Sequence, residues 1–250
     1  MNAADTAADN AVDILRALHH DRAPGDPLIL PGPWDAASAR VFEEAGSPAL
    51  ATPSAGIALS LGYEDGQVPP DEMFAAVSRV VRSVSVPVSA DIEGGYGLPP
   101  KELVERLLET GAVGCNLEDS IKGEDGTSTL KDPAEHADFL AEVRAAAGDR
   151  LFVNARVDTF LRGVPEPEAA IERARLYVTA GADCVYPILA PAEAIPALRA
   201  GIEGPLNMVA EPVGPSPRKL GELGATRITF GPGLLHRSLT ALRDIADELA

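Results

Sequence analysis

Two carboxylates one residue apart, Asp91 and Glu93, follow a Val-rich run and precede a cluster of glycines in the stretch SADIEGGYGLPP, residues 89–100. A turn has no need of two acids. Residues two apart on a strand point to the same face, so Asp91 and Glu93 are set to act together. Glu118 and Asp119 end a second apolar run, VGCNLED, and Arg156 and Asp158 share one face of a third, LFVNARVD. Converging carboxylates repel one another unless something positive lies between them. Magnesium prefers oxygen, keeps several waters and takes one or two carboxylates directly. Asp91, Glu93 and Glu118 therefore read as a magnesium cage. A single acid at a strand end is more often a helix cap or a solvated loop residue; three on neighbouring strand ends are harder to explain that way.

Arg156 is suited to clamp a carboxylate or phosphate, because its planar fork donates two parallel hydrogen bonds. The competing reading is a structural ion pair with Glu118 or Asp158. Ser54, Ala55 and Gly56 end another apolar run in a small-residue turn whose backbone N–H groups suit an anionic group of a substrate; a plain tight turn is nearly as good an account. Glu211 ends a further run and is assigned to the substrate side, and the turn Gly231-Pro232-Gly233 opens the last helix where barrels often bind phosphate. Trp34 either lines the mouth or packs. Cys115 and Cys184 sit in apolar runs and read as core, His19 and His20 as surface residues, and His136 and His236 as helix residues without a catalytic partner.

These residues are positioned by a repeating pattern. Short β-branched runs begin near Pro27, Pro48, Val86, Val113, Leu151, Asp183, Leu206 and Arg227, and each is followed by an amphipathic stretch. Helices are predicted to begin near Ala36, Asp71, Pro100, Pro133, Pro167, Pro191, Ser216 and Leu234. Four helix ends share a phrase, EEAGSPA, ETGAVGC, TAGADCV and ELGATRI, each with Gly where a left-handed C-cap is wanted. Alternating strands and helices without a composition break predict one (β/α)8 TIM barrel over residues 27–250, with residues 1–26 as a lead-in carrying a short helix, Ala11–Leu18. An open doubly wound sheet is the alternative. In such a barrel the strand ends named above form the active-site face.

Composition narrows the partners. The net charge is -17, from 21 Lys and Arg against 38 Asp and Glu, which argues against nucleic acid or an anionic membrane. No run is long enough to span a bilayer, and the N-terminus lacks the features of a signal peptide. With two cysteines, a disulfide framework is not expected and a reducing cytoplasm is.

Taken together, ADIEGGYG, NLEDS, NARVDTF and the stretch PGPWDAASARVFEEAGSPALATPSAGIALSLGYEDG resemble the isocitrate lyase and phosphoenolpyruvate mutase superfamily from about Pro31 onward. The resemblance implies a magnesium-dependent enzyme, manganese being the alternative ion. Its substrate would be a small 2-oxo acid, or the enolate made from one, with the enolate left by C–C or P–C cleavage stabilised by the metal. It makes Asp91 the direct ligand and gives Asp65, Glu93 and Glu118 metal waters to hold. Ser54 and Ala55 would bind the substrate carboxylate, and Arg156 would steady the oxygen anion or the departing group. It also implies a homodimer or homotetramer that exchanges the last helix between subunits, although the further tail usual after that helix is absent from this sequence.

One departure is chemical. Isocitrate and methylisocitrate lyases carry a Lys-Lys/Arg-Cys-Gly-His motif in the loop after the second metal strand, whereas this chain reads SIKGEDGTSTLKDP at residues 120–133, with no Cys or His. Ser or Thr does not replace a thiol of matched pKa as a proton donor. The mutase pattern of Lys followed closely by Asn is also missing. The loop is Gly-rich and charged, as suits a lid. The expectation is a lyase, by C–C cleavage or decarboxylation, of a small 2-oxo or 2-hydroxy di- or tricarboxylate. P–C chemistry (a phosphonomutase or a phosphonopyruvate hydrolase) and a non-catalytic metabolite-binding barrel are the alternatives.

Overall fold

The computed structural model describes residues 3–20, 22–23, 25–122 and 127–250. Helix α1 (Ala3–His19) precedes strand β1 (Leu28–Ile29) and helix α2 (Ala36–Glu44). Then come β2 (Leu50–Thr52), α3 (Ser54–Leu61), α4 (Pro70–Val81), β3 (Val88–Asp91), α5 (Pro100–Glu109) and β4 (Gly114–Glu118). A hairpin, β5 (Ser120–Lys122) and β6 (Ser128–Leu130), leads into α6 (Pro133–Ala147) and β7 (Phe152–Val157). The chain closes with α7 (Pro167–Thr179), β8 (Cys184–Pro187), α8 (Ile195–Gly201), β9 (Asn207–Val209), α9 (Pro217–Leu223), β10 (Arg227–Thr229) and α10 (Gly233–Glu248).

The strands β2-β3-β4-β7-β8 and β1-β10-β9 form two parallel arcs. The arcs meet twice: Ala51 N–H donates to Pro31 O at 3.1 Å, and Val185 N–H donates to Pro205 O at 3.1 Å beside a parallel bridge between Val185 and Leu206. The sheet thus curls into the expected barrel. Outward-facing Ala90, Cys115, Val153 and Val185 pack under the helices, while Asn116 and Asn154 meet inside, with Nδ2 of Asn154 2.8 Å from Oδ1 of Asn116. Both cysteines are free and buried, and burial pushes their thiols up to about 12. The repeated helix-end glycines Gly46, Gly111, Gly181 and Gly224 all take positive φ, between 82° and 123°, the left-handed stop that glycine adopts without a steric penalty. Among the described residues no helix is long and apolar enough to cross a membrane.

Several elements differ from expectation. The first helix runs from Ala3 to His19, longer than Ala11–Leu18, and is no loose lead-in: Val12 and Leu15 are buried against Leu28, Leu30 and Phe152, closing the barrel floor. His19 is accordingly buried, stacked 4.0 Å from Phe152 with Nε2 3.5 Å from a nitrogen of Arg227, not a surface residue. His136 on α6 is buried too, between Phe139 and Tyr177. The eighth helix starts at Ile195, after a 3-10 turn at Ala192–Ala194, rather than at Pro191. The stretch read in the sequence as suited to a lid contains the β5–β6 hairpin, whose strands pair antiparallel.

Candidate active site

A pocket of about 410 Å³ opens at the C-terminal ends of the barrel strands. Of the residues singled out in the sequence, it gathers Ser54, Ala55, Asp65, Asp91, Arg156 and Glu211, together with the Gly231–Gly233 turn. Glu93, Glu118 and Gly56 do not line it. Gly56 has a packing reason instead, since a Cβ there would lie 2.8 Å from Cγ of Pro53. Ser54 and its neighbours are not a free-standing turn either: they are the first residues of α3, an apolar eight-residue helix stopped by left-handed Gly62.

Asp91 ends β3 and is fixed from three sides. Ser54 Oγ donates to its Oδ2 at 3.1 Å, Glu93 N–H donates to its Oδ1 at 3.3 Å, and its own N–H donates to Thr52 Oγ1 at 3.3 Å. Beyond it the chain bends sharply, with positive φ at Glu93 (52°), Gly95 (85°) and Tyr96 (57°). Gly95 has no room for a side chain, because a Cβ would meet Leu103 Cδ2 at 2.9 Å. Non-glycine residues in this region carry backbone strain that surrounding contacts must hold, a feature that concentrates at functional sites.

Glu118 and Arg156 are partners in the β4–β7 register and form a salt bridge. Arg156 also forks onto Asp158. Behind them Asp119 is fully buried and organises the rear of the site. It accepts from Asp158 N–H at 2.8 Å, Tyr177 Oη at 2.7 Å and Arg173 at 3.0 Å. Ser120 Oγ donates to Asp158 Oδ2 at 2.5 Å, and Lys131 Nζ donates to Glu118 O at 3.2 Å. The base of the hairpin is therefore tied to the same acids.

Burial pushes Glu118 up to about 8; Arg156 opposes the shift, and the negative charges of Asp158, Asp91 and Glu93 add to it. Burial likewise raises Asp91, with Arg156 again opposing. For Arg156, burial works against the charge, but Asp158 and Glu118 outweigh it and hold the guanidinium protonated. Carboxylates whose ionisation is disfavoured by burial and by one another gain most from a nearby cation. Among the described residues no group of three or more His, Cys, Asp or Glu side chains is arranged to hold a metal ion. The donor set still fits magnesium, which takes one or two carboxylates and keeps its waters: Asp91 faces the pocket, and Glu93 and Glu118 stand near enough to raise the cost of charge around it.

The sequence reading missed several pocket residues. Tyr186 is buried with its phenol pushed up to about 12 by burial, a hydrogen bond from Thr229 opposing, so it faces the pocket protonated. Its place on the inward face of β8 was legible from strand alternation. His236, read in the sequence as a helix residue without a catalytic partner, reaches the pocket from α10, and the unremarked Leu161, Ile188, Leu189 and Phe230 supply an apolar wall. Nothing local to those residues distinguishes them from core. Trp34 does not line the pocket and packs edge-on against Phe42, with ring centroids 6.4 Å apart.

Residues 15–250 match the family model described as phosphoenolpyruvate phosphomutase. An uncharacterised protein of Mycobacterium tuberculosis is 34% identical over 216 residues, covering 86% of this chain and 80% of its own. The 2-methylisocitrate lyase of Aeropyrum pernix is 34% identical over 180 residues, covering 70% of this chain and 57% of its own. A crystal structure from Burkholderia cenocepacia, provisionally assigned as a phosphonomutase, superposes with a TM-score of 0.87 at 36% identity, covering 95% of this chain and 99% of that one.

Proposed function

Because the chain belongs to the phosphoenolpyruvate phosphomutase family, we propose that it is a magnesium-dependent carbon–carbon lyase, or decarboxylase, of a small 2-oxo or 2-hydroxy acid. The observation that carries the choice is the commitment of Arg156 to two buried acids, Glu118 and Asp158. A phosphonate dianion needs positive charge beyond what that arginine has left, whereas an oxo-carboxylate group needs less. The similarity to a 2-methylisocitrate lyase supports the same side.

The substrate carboxylate is assigned to the start of α3, where Ser54 and Ala55 line the pocket and the helix dipole favours an anion. Asp91 would hold the metal, with Asp65, Glu93 and Glu118 around its waters. Magnesium, when bound there, supplies the positive charge that favours electron density moving onto the oxo group. Arg156, held in place by Asp158, presents its remaining edge to the developing oxygen anion or the departing group. Tyr186, which keeps its proton at neutral pH, offers a hydrogen bond from the pocket floor. Glu211 stands at the substrate's outer side. The hairpin β5–β6 is joined to Asp158 through Ser120, which ties its base to the strand end that carries Arg156. The two free, buried thiols suit a reducing cytoplasm.

The test compares magnesium-dependent release of a 2-oxo product from a panel of carboxylic acids with phosphate release from phosphonopyruvate. Turnover of the acids is expected. Phosphate release alone would move the protein to P–C chemistry, the reading that the phosphonomutase similarity favours.

A further inference from the structure

The barrel mouth has two chemically different halves. Ser54, Asp91, Glu118 and Arg156 stand over β2, β3, β4 and β7. Over the ends of β7 to β10 the pocket is walled by Leu161, Ile188, Leu189, Val209 and Phe230, with Tyr186 and Thr229 also lining that half. Leu189 is 42% exposed and holds a left-handed φ of 57°, a conformation unfavourable for any residue with a Cβ. Core packing does not account for an exposed leucine held that way. Facing the same pocket are the acids Asp65, Asp91 and Glu211. The basic groups there, among the described side chains, are Arg156, already paired with Glu118 and Asp158, and the exposed His236 in the first turn of α10.

We propose that this wall is a specificity subsite for an alkyl substituent, and that the pocket discriminates against a second carboxylate or a phosphonate at that end of the substrate. An anion placed against the wall gives up water to apolar side chains and stands in the same pocket as the carboxylate of Glu211. A methyl or isobutyl group there gains with each methylene buried. The assignment presupposes the 2-oxo acid reading above and narrows its substrate class: one carboxylate beside the 2-oxo or 2-hydroxy group, and an apolar tail.

Isothermal titration in the presence of magnesium tests it with oxalate, pyruvate, 4-methyl-2-oxopentanoate and 2-oxoglutarate. The branched acid is expected to bind more tightly than 2-oxoglutarate, by about tenfold. Leu189→Arg, which adds a cation at the exposed rim away from the polar half, is expected to shift that ratio about tenfold toward 2-oxoglutarate. Binding of 2-oxoglutarate as tight as, or tighter than, that of the branched acid overturns the subsite and leaves the 2-oxo acid reading standing. A ratio unmoved by Leu189→Arg also overturns the subsite. Failure of oxalate and every 2-oxo acid to bind with magnesium overturns both.

Discussion

Arg156 and Asp158, two positions apart on one strand face, form a two-pronged ion pair: Nε lies 2.7 Å from Oδ1 and Nη2 lies 3.0 Å from Oδ2. The same guanidinium meets Glu118 from the neighbouring strand. Asp158 is fully buried, and the pair holds its carboxyl below the usual range although burial pushes the other way. Arg156 thus serves both readings of its sequence: it is a structural partner, and it faces the pocket.

That double role separates two substitutions. Arg156→Ala strands Asp158 and Glu118 in a buried setting and is expected to cost about 3–5 kcal/mol in urea unfolding. Arg156→Lys keeps a charge but loses the fork. A smaller stability loss is expected for it, with KM raised about tenfold or more. An unchanged KM would assign Arg156 to structure alone.

Asp91→Ala is expected to reduce magnesium-dependent turnover by about 100-fold or more. Ser54 Oγ and Glu93 N–H lose an acceptor, yet both lie at the mouth rather than in the apolar core. The far-UV circular dichroism spectrum should therefore match the parent's. Full activity with an intact fold would remove Asp91 from the metal site.

Stability should fall in mild acid because of two buried histidines. Burial, followed by Arg227, lowers His19 from 6.5 to about 3; burial, followed by Lys131 and Arg173, does the same for His136. The unfolded chain binds these protons below about pH 6.5 and the native protein does not. Their stabilising contribution is therefore complete above pH 6.5 and is lost as the pH drops toward 3, at up to about 1.4 kcal/mol per pH unit for each ring. The raised carboxyls of Asp91 and Glu118 work in the opposite direction, so the diagnostic is a difference. His136→Phe, placed beside Phe139 and Tyr177, should show a shallower loss between pH 6.5 and 5 than the parent in urea titrations. Equal slopes would mean that His136 is charged in the native state.

Leu15→Ala tests whether α1 belongs to the barrel. Leu15 is fully buried, and its Cδ2 would lie only 2.9 Å from a Cβ added at Gly114 on β4. Emptying that site is expected to cost about 2–5 kcal/mol. A cost near zero would make the helix an appendage.

Association is expected to run through α10, which buries Leu235 and leaves Leu242 and Ile245 more than half exposed. Sedimentation should give a dimer or tetramer of the 26.0 kDa chain. Leu242→Glu combined with Ile245→Glu should shift the mass toward that of one chain. A mass unaffected by these charges would place the subunit contact elsewhere.

Much of the architecture was readable because its signals are local. Val-rich runs, prolines at helix starts and glycines at helix ends recur at barrel spacing, and each acts within a few residues of itself. Asp91 and Arg156 were legible for the same reason, since strand alternation places Arg156 and Asp158 on one face whatever lies around them. Helix α3 escaped notice because it starts without a capping side chain after Pro53, and its small residues mimic a turn. The hairpin β5–β6 escaped because its strands are three residues each, too short for an alternating pattern to show.

Burial and pairing across strands belong to the folded chain. The sequence places Glu118 and Arg156 38 positions apart; only the β4–β7 register makes them partners. His19 and His136 carry no local mark of burial, because what encloses them, Phe152, Arg227 and Tyr177, arrives from distant parts of the chain. The same holds for the apolar wall, assembled from residues at or just beyond the ends of four strands that meet only when the barrel closes. Propensity, capping and alternation act over a few residues, so the residue order determined the strands, the helix stops and the acids at the mouth. Desolvation and ion pairing depend on everything within several ångströms, so tertiary structure alone decided which of those groups are charged, which are enclosed, and what shape of ligand they leave room for.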